Sequence, residues 1–194
     1  MEAQLREIFS ALSSLLTEWP AVEDTLESDL TKLENHLKQL EACRLAPEED
    51  TPILQQFPGL RQALCAKIQA KISTINASVS ESAGAQSRLV EGALEKCDRI
   101  KEAEIALEGI LSEPVSPGQP RVSQRLEWAA EAETLLRRQE LKSLHLDQVR
   151  ESELGDGEDL RSAFETCKMS LQTRDRLAYI VNLAGVDTKK PEKQ

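Results

Sequence analysis

The residues able to do acid–base, nucleophilic or metal chemistry in this chain are few and scattered. Among 194 residues there are two histidines, His36 and His145, and four cysteines, at 43, 65, 97 and 167. A thiol nucleophile needs a base within hydrogen-bond reach and a third group to orient that base. His36 with Cys43 is the one pairing in short range, but His36 falls between Leu33 and Leu37, beside an apolar seam, with no third group in the pattern. Tight zinc sites take their ligands in short chelates such as C-x2-C, and that spacing is absent. The run Asp156-Gly157-Glu158 lacks the alternating oxygen ligands of a calcium loop. No glycine-rich phosphate loop, dinucleotide fingerprint or nucleophile elbow occurs. The acid pairs Glu48/Glu49 and Glu158/Asp159 fall in a linker and at a helix start, where solubility and capping account for them. The expectation is a protein without catalytic, cofactor or metal site, and not an enzyme.

What remains is surface for partners. The chain carries a net charge of −10, which argues against direct binding of nucleic acid, whose phosphates demand clustered Lys and Arg. The densest basic group, Arg137, Arg138 and Lys142, is interrupted by Glu140 and suits a solvated helix face. No uncharged apolar run approaches the ~20 residues of a membrane span. The start, MEAQLREIF, is charged and amphipathic rather than signal-like, so an intracellular protein with reduced, mostly buried thiols is expected. With aromatics at 3% of the chain, Trp19 and Trp128 are the strongest candidate anchors for a partner, a place in the chain's own core being the alternative for each. Trp128 sits two positions from Leu126, and Leu126 with Ala129 suits a core stripe. Trp128 is therefore expected to point partly sideways, toward another chain.

The elements that must carry these residues are helices. Leucine, alanine, glutamate and lysine are abundant, and no convincing alternating strand pattern appears. Leu5, Ile8, Phe9, Leu12, Leu15 and Leu16 mark one face of a helix over 2–18. Pro20 predicts a kink or break, after which Leu26, Leu30, Leu33, Leu37 and Leu40 follow the a/d spacing of a coiled-coil seam. Arg44 to Pro52 reads as a linker, with Thr51 able to cap a short helix, and Phe57-Pro58-Gly59 as a bend. From Leu60 to Leu111 the apolar phase survives a serine-rich patch at 76–87, so one helix of about 50 residues, some 75 Å long, is predicted. Ser112 to Pro120 ends it, a fourth helix covers about 121–150, and a fifth begins near Asp156 as its cap. That fifth helix shows a seam of Leu160, Phe164, Cys167, Leu171, Arg174, Ala178 and Val181, its single charge expected to snorkel or to pair with an acid. The fold class is all-α: an elongated antiparallel helical bundle of coiled-coil hairpins with one very long central helix. A single domain over 1–186 is expected, with hinges near 44–58, 112–120 and 151–157, and 187–194 as a disordered tail. Seams of this length are expected to be covered by other polypeptides, leaving the isolated chain marginal or oligomeric.

Beyond these patterns, the stretch RLEWAAEAETLLRRQELK resembles the best-marked segment of the ribosome maturation factor AIRIM family. The matching positions are Ser116-Pro117, then Leu126-Glu127-Trp128, Glu133 and Leu141-Lys142. Phe57, Pro58, Leu60 and Arg61 look like the family's turn into its long helix, and Trp19 to Asp24 like its early aromatic-Pro-x-Val-acid segment. The resemblance implies a non-catalytic helical adaptor subunit of an AAA+ ATPase complex. That complex acts in cytoplasmic maturation of the large ribosomal subunit precursor, where it releases a shuttling assembly factor, and in replisome and chromatin proteostasis. The implied partners are the ATPase subunits, a second helical adaptor (a cyclin-dependent-kinase-interacting protein) and, indirectly, pre-ribosomal particles, in cytoplasm and nucleus. The implied partner-binding residues are Leu126, Glu127, Trp128, Glu133, Leu141, Lys142, Trp19 and Phe57. The heptads alone equally suit a generic coiled-coil scaffold of a kinetochore or vesicle-tethering assembly.

Overall fold

The computed structural model describes residues 2–47, 52–105, 120–151 and 157–185. Every regular element in them is helical: α1 (Glu2–Leu45), α2 (Pro52–Gln56), α3 (Leu60–Ile105), α4 (Val122–Glu151), α5 (Gly157–Cys167) and α6 (Leu171–Leu183). The caps expected at Thr51 and Asp156, the tail 187–194 and most of the hinges at 112–120 and 151–157 lie outside the described residues.

The break expected at Pro20 does not occur, and α1 runs as one helix of 44 residues with the proline inside it. An interior proline removes one backbone donor and costs about 3 kcal/mol. Trp19 and Leu26, 1% and 0% exposed, lie on one buried stripe on either side of it. A bend would turn one of them out, and burial is worth about 1.5–3 kcal/mol for each large apolar side chain. Continuity of the stripe therefore offsets most of that cost.

α3 is also unbroken, over 46 residues, and is helical throughout 76–87. The expected single very long rod is thus one of a pair, nearly equal in length and packed on each other. Two contacts fix their antiparallel register. Ser78 Oγ donates to Asp29 Oδ2, and Cys65 Sγ to Cys43 Sγ, so moving 14 residues forward on α1 moves 13 back on α3. The serine-rich patch suits this packing, because small side chains there leave room for the leucines of α1. Val79 and Ala83 share a core cluster with Leu26, Leu30 and Leu33.

α4, α5 and α6 cover this pair along part of its length. Around Leu5 to Trp19 the core also takes in Val90, Leu94, Leu136, Leu177 and Ile180, from α3, α4 and α6. Around Leu26 to Leu33 it takes in Leu146 and Phe164, from α4 and α5. Further on the cover ends. Beyond Leu33, α1 buries only Leu40, and α3 buries no residue before Val79. The hairpin tip is therefore two helices thick. The apolar stripe of α1 is covered from within the chain over most of its length, not by a partner as its pattern suggested.

The fifth helix departs from its predicted course. It breaks after Cys167, and α6 starts at Leu171. Leu171, expected on the seam, is 71% exposed; α6 buries Leu177 and Ile180, which lie off the expected seam, together with Val181, which lies on it. The donors and acceptors a continuous helix would use are met from elsewhere. Gln139 of α4 donates to the Cys167 carbonyl, and Lys142 of α4 to the Lys168 carbonyl at 3.4 Å. Glu23 of α1 accepts from the Met169 amide at 3.3 Å and from Arg174 at 2.8 Å. Ser170 Oγ caps α6 by accepting from the Thr173 amide at 3.1 Å. Arg174 pairs with an acid, as expected of a charge on this stripe.

Candidate partner surface

The eight residues expected to meet partners fall into four settings. Trp19 is core: it is 1% exposed, in the larger cluster. It offers no surface, and the expectation that it is an anchor is corrected, because Trp19 continues the buried row of Leu12 and Leu15 at helical spacing. Leu126 and Trp128 are half-buried against the same cluster, so one flank of each is packed and the other faces outward. Glu133 and Lys142 are half-buried and occupied within the chain, Glu133 near Arg137 at 3.7 Å and Lys142 on the α5–α6 joint. Glu127, Leu141 and Phe57 are exposed, Leu141 by 67% and Phe57 by 57%.

α4 presents its partly exposed residues in this way because its buried stripe is unusual. The inward positions are Arg125, Ala129, Ala132, Leu136, Gln139, Ser143 and Leu146, at alternating steps of four and three. Polar and small residues occupy a face that ordinarily holds leucines. Leu126, on the neighbouring row, is displaced to the edge of the core, and Leu141 and Leu144 face away from it, Leu144 by 51%. Trp128 and Leu141 stand about 20 Å apart along the helix. They belong to separate patches of surface.

Exposed apolar side chains gather in two further places. At the hairpin tip Ile53, Phe57, Pro58, Gly59, Leu60 and Ala63 line a shallow cleft of about 550 Å³. Gly59 has φ +91°, a conformation that other residues adopt only with strain, and it sets the direction of the Phe57 bend. On α6, Leu171, Arg176 and Tyr179 line a second cleft of about 480 Å³. Arg176 is held there by a two-pronged pair with Glu131 of α4, at 2.6 and 2.7 Å, and lies over the Tyr179 ring. The pairing keeps the Glu131 carboxyl below its ordinary range. Sequence reasoning missed this α6 patch, because Leu171 was assigned to a seam. Its signal was Ser170, a cap residue directly before a helix-forming run.

In the basic group on α4, Arg137 is tied up within the chain. Arg137 donates to both oxygens of Asp98 at 3.0 Å and to Glu140 at 3.3 Å. His36 hydrogen-bonds Gln39 at 3.0 Å rather than any cysteine. Two thiols, Cys97 and Cys167, are buried, and burial pushes the Cys167 thiol up. Cys43 and Cys65 are only half-buried, and the Cys65 hydrogen bond, with partial burial, pushes the Cys43 thiol up. Among the described residues no three of His, Cys, Asp and Glu gather to hold a metal ion, and no helix is long and apolar enough to cross a membrane.

These features define an all-α protein in which a long antiparallel hairpin is buttressed at one end and left bare at the other, with apolar side chains displayed at the bare tip and along the buttress. The chain belongs to the family of ribosome biogenesis proteins described as C1orf109-like, whose family model matches residues 1–177. It is also similar to a Xenopus tropicalis protein named AFG2-interacting ribosome maturation factor. The two are 32% identical over 170 residues, covering 80% of this chain and 78% of the frog protein.

Proposed function

We propose that this chain is a non-catalytic adaptor for an AAA+ ATPase of the AFG2 kind in maturation of the large ribosomal subunit. The observation that carries this is the likeness, over 80% of the chain, to a maturation factor named for its interaction with AFG2. The distribution of exposed apolar surface supports it, since Phe57, at the turn between α2 and α3, and Leu141, on α4, stand clear of the core. In this division of labour the ATPase supplies motor and nucleotide site, and this chain supplies positioned surface. The complex releases a shuttling assembly factor from cytoplasmic precursors, and a second helical adaptor, a cyclin-dependent-kinase-interacting protein, sits beside this chain. Contact with pre-ribosomal particles is indirect. The same assembly serves replisome and chromatin proteostasis, which places the chain in both cytoplasm and nucleus.

The test is capture of purified AFG2-type ATPase by the full-length chain, with and without ATP. Phe57→Ala and Leu141→Ala are each expected to weaken capture about tenfold or more while leaving the melting temperature unchanged, as exposed side chains that carry binding should. Trp128→Ala is expected to weaken capture more than it lowers helicity. Failure of the unaltered chain to retain the ATPase at micromolar concentration would overturn the proposal. Recovery of centromere or membrane-tether proteins in its place, from cells, would favour the coiled-coil scaffold.

A further inference from the structure

We infer that Cys43 and Cys65 form a reversible disulfide site that fastens the end of α1 to the start of α3. The two sulfurs stand 3.3 Å apart although 22 positions separate the residues in sequence. An S–S bond is roughly 2.05 Å long, so closure asks for a movement of about 1.3 Å. That movement falls at the hairpin tip, where among the described residues the protein is two helices thick. Both cysteines are half-buried, within reach of a small oxidant, whereas Cys97 and Cys167 are 3% and 1% exposed in two different core clusters. Antiparallel packing puts one pair of thiols together and places the other two in separate core clusters.

The oxidant is a small disulfide, of which oxidised glutathione is the probe. One cysteine, as thiolate, attacks it, forms a mixed disulfide and releases one glutathione thiolate. The second cysteine then attacks the protein sulfur of that mixed disulfide, forms the Cys43–Cys65 bond and releases the second glutathione. Two thiol protons leave the protein, and two electrons reduce the probe's S–S bond to two thiols. The second step is intramolecular between sulfurs already in contact, so it outruns further glutathione addition. Excess reduced glutathione runs the sequence backward. The product ties residues 44–64 into a covalent loop, which includes α2 and Phe57, and so sets the freedom of the tip. This inference stands whether or not the tip binds an ATPase.

The experiment incubates the full chain with graded ratios of oxidised to reduced glutathione, followed by trypsin digestion without reduction and mass spectrometry. The expected product joins Gln39–Arg44 to Gln62–Lys67 and disappears when reduced glutathione is restored. Thiol titration of the denatured product should find two of the four cysteines still reduced. The melting temperature should rise by about 5 °C or more, because the loop loses freedom in the unfolded chain. Cys43→Ser and Cys65→Ser, with unchanged far-ultraviolet circular dichroism, should each lose the joined peptide and accumulate a glutathione adduct on the remaining cysteine. Separate adducts on both cysteines of the unaltered chain would overturn the inference. So would a bond between two chains, or a native chain whose Cys43 and Cys65 stay reduced where the denatured chain reacts.

Discussion

Asp29 is a carboxylate placed where α1 meets α3, 6% exposed, and it survives there because both its oxygens are met. Lys32 donates to one at 2.7 Å, and Ser78 of α3 to the other. The Lys32 hydrogen bond, then that of Ser78, hold its carboxyl below the ordinary value of 3.8, against the opposing effect of burial. A hydrogen bond to a charged group contributes about 2 kcal/mol, and leaving a buried one unmade costs a similar amount. Ser78→Ala is therefore expected to destabilise the protein by about that much at pH 7. The sign of its pH dependence follows from linkage. The carboxyl is a weaker base in the folded chain than in the unfolded one, so its contribution is complete above the ordinary carboxylate range. It is lost as pH falls through the lower folded value. The penalty of Ser78→Ala should consequently shrink in strongly acid solution. Urea unfolding of both proteins at pH 7 and near pH 3 measures it. An equal penalty at both would mean that Ser78 acts through packing and not through the charge of Asp29.

At the scale of elements, legibility divided along a physical line. The stripe on α1 could be read because it is made of large apolar side chains at helical spacing. Leu5, Ile8, Phe9, Leu12 and Leu15, then Leu26, Leu30, Leu33 and Leu40, are all buried as expected. The stripe on α4 could not, since Arg125, Ala129, Ala132, Gln139 and Ser143 carry no hydrophobic period. The α5–α6 break was illegible for a different reason, because its partners come from remote sequence: Gln139 and Lys142 lie on α4, and Glu23 on α1. Of the partner residues, Phe57 and Leu141 are exposed, while Trp19, in step with Leu12 and Leu15, belongs to the buried stripe. Gln139 is the clearest test of this account. It is 3% exposed, and its amide serves the last carbonyl of α5. Gln139→Leu keeps the volume and removes the donor, so it should cost about 1–3 kcal/mol. The loss should be local first, with faster hydrogen exchange in the opening turn of α6 before any change in α1. A global loss of equal size at both helices would show that the joint is not an independent element.

The whole molecule is graded in thickness, and stability should follow that gradient. Around Leu5 to Trp19, α1 is enclosed by α3, α4 and α6, and several of its side chains have no exposed surface at all. At the far end Leu40, 7% exposed, is the last buried residue of α1, and it stands opposite a stretch of α3 that buries nothing. Burial is worth about 25 cal/mol per Å² of apolar surface, so each turn at the tip contributes less than a turn in the enclosed part. Helical hydrogen bonds alone do not compensate, because isolated helices are marginal in water. The two ends therefore differ in depth of cover. The enclosed end makes the chain a folded body, and the bare end extends two helices away from it, with Phe57 at their turn. Native-state hydrogen exchange resolves this directly. Amides of Ile8 to Trp19 and of Val90 to Cys97 should open only with global unfolding. Those of Leu64 to Ile72 should exchange through local opening, at a free energy several kcal/mol lower. Adding a saturating partner should raise protection at Leu64 to Ile72 toward the global value if the tip is where it docks. Uniform protection along the full length of α3 in the free chain would refute the gradient, and with it the view that this hairpin reaches outward from a self-sufficient core.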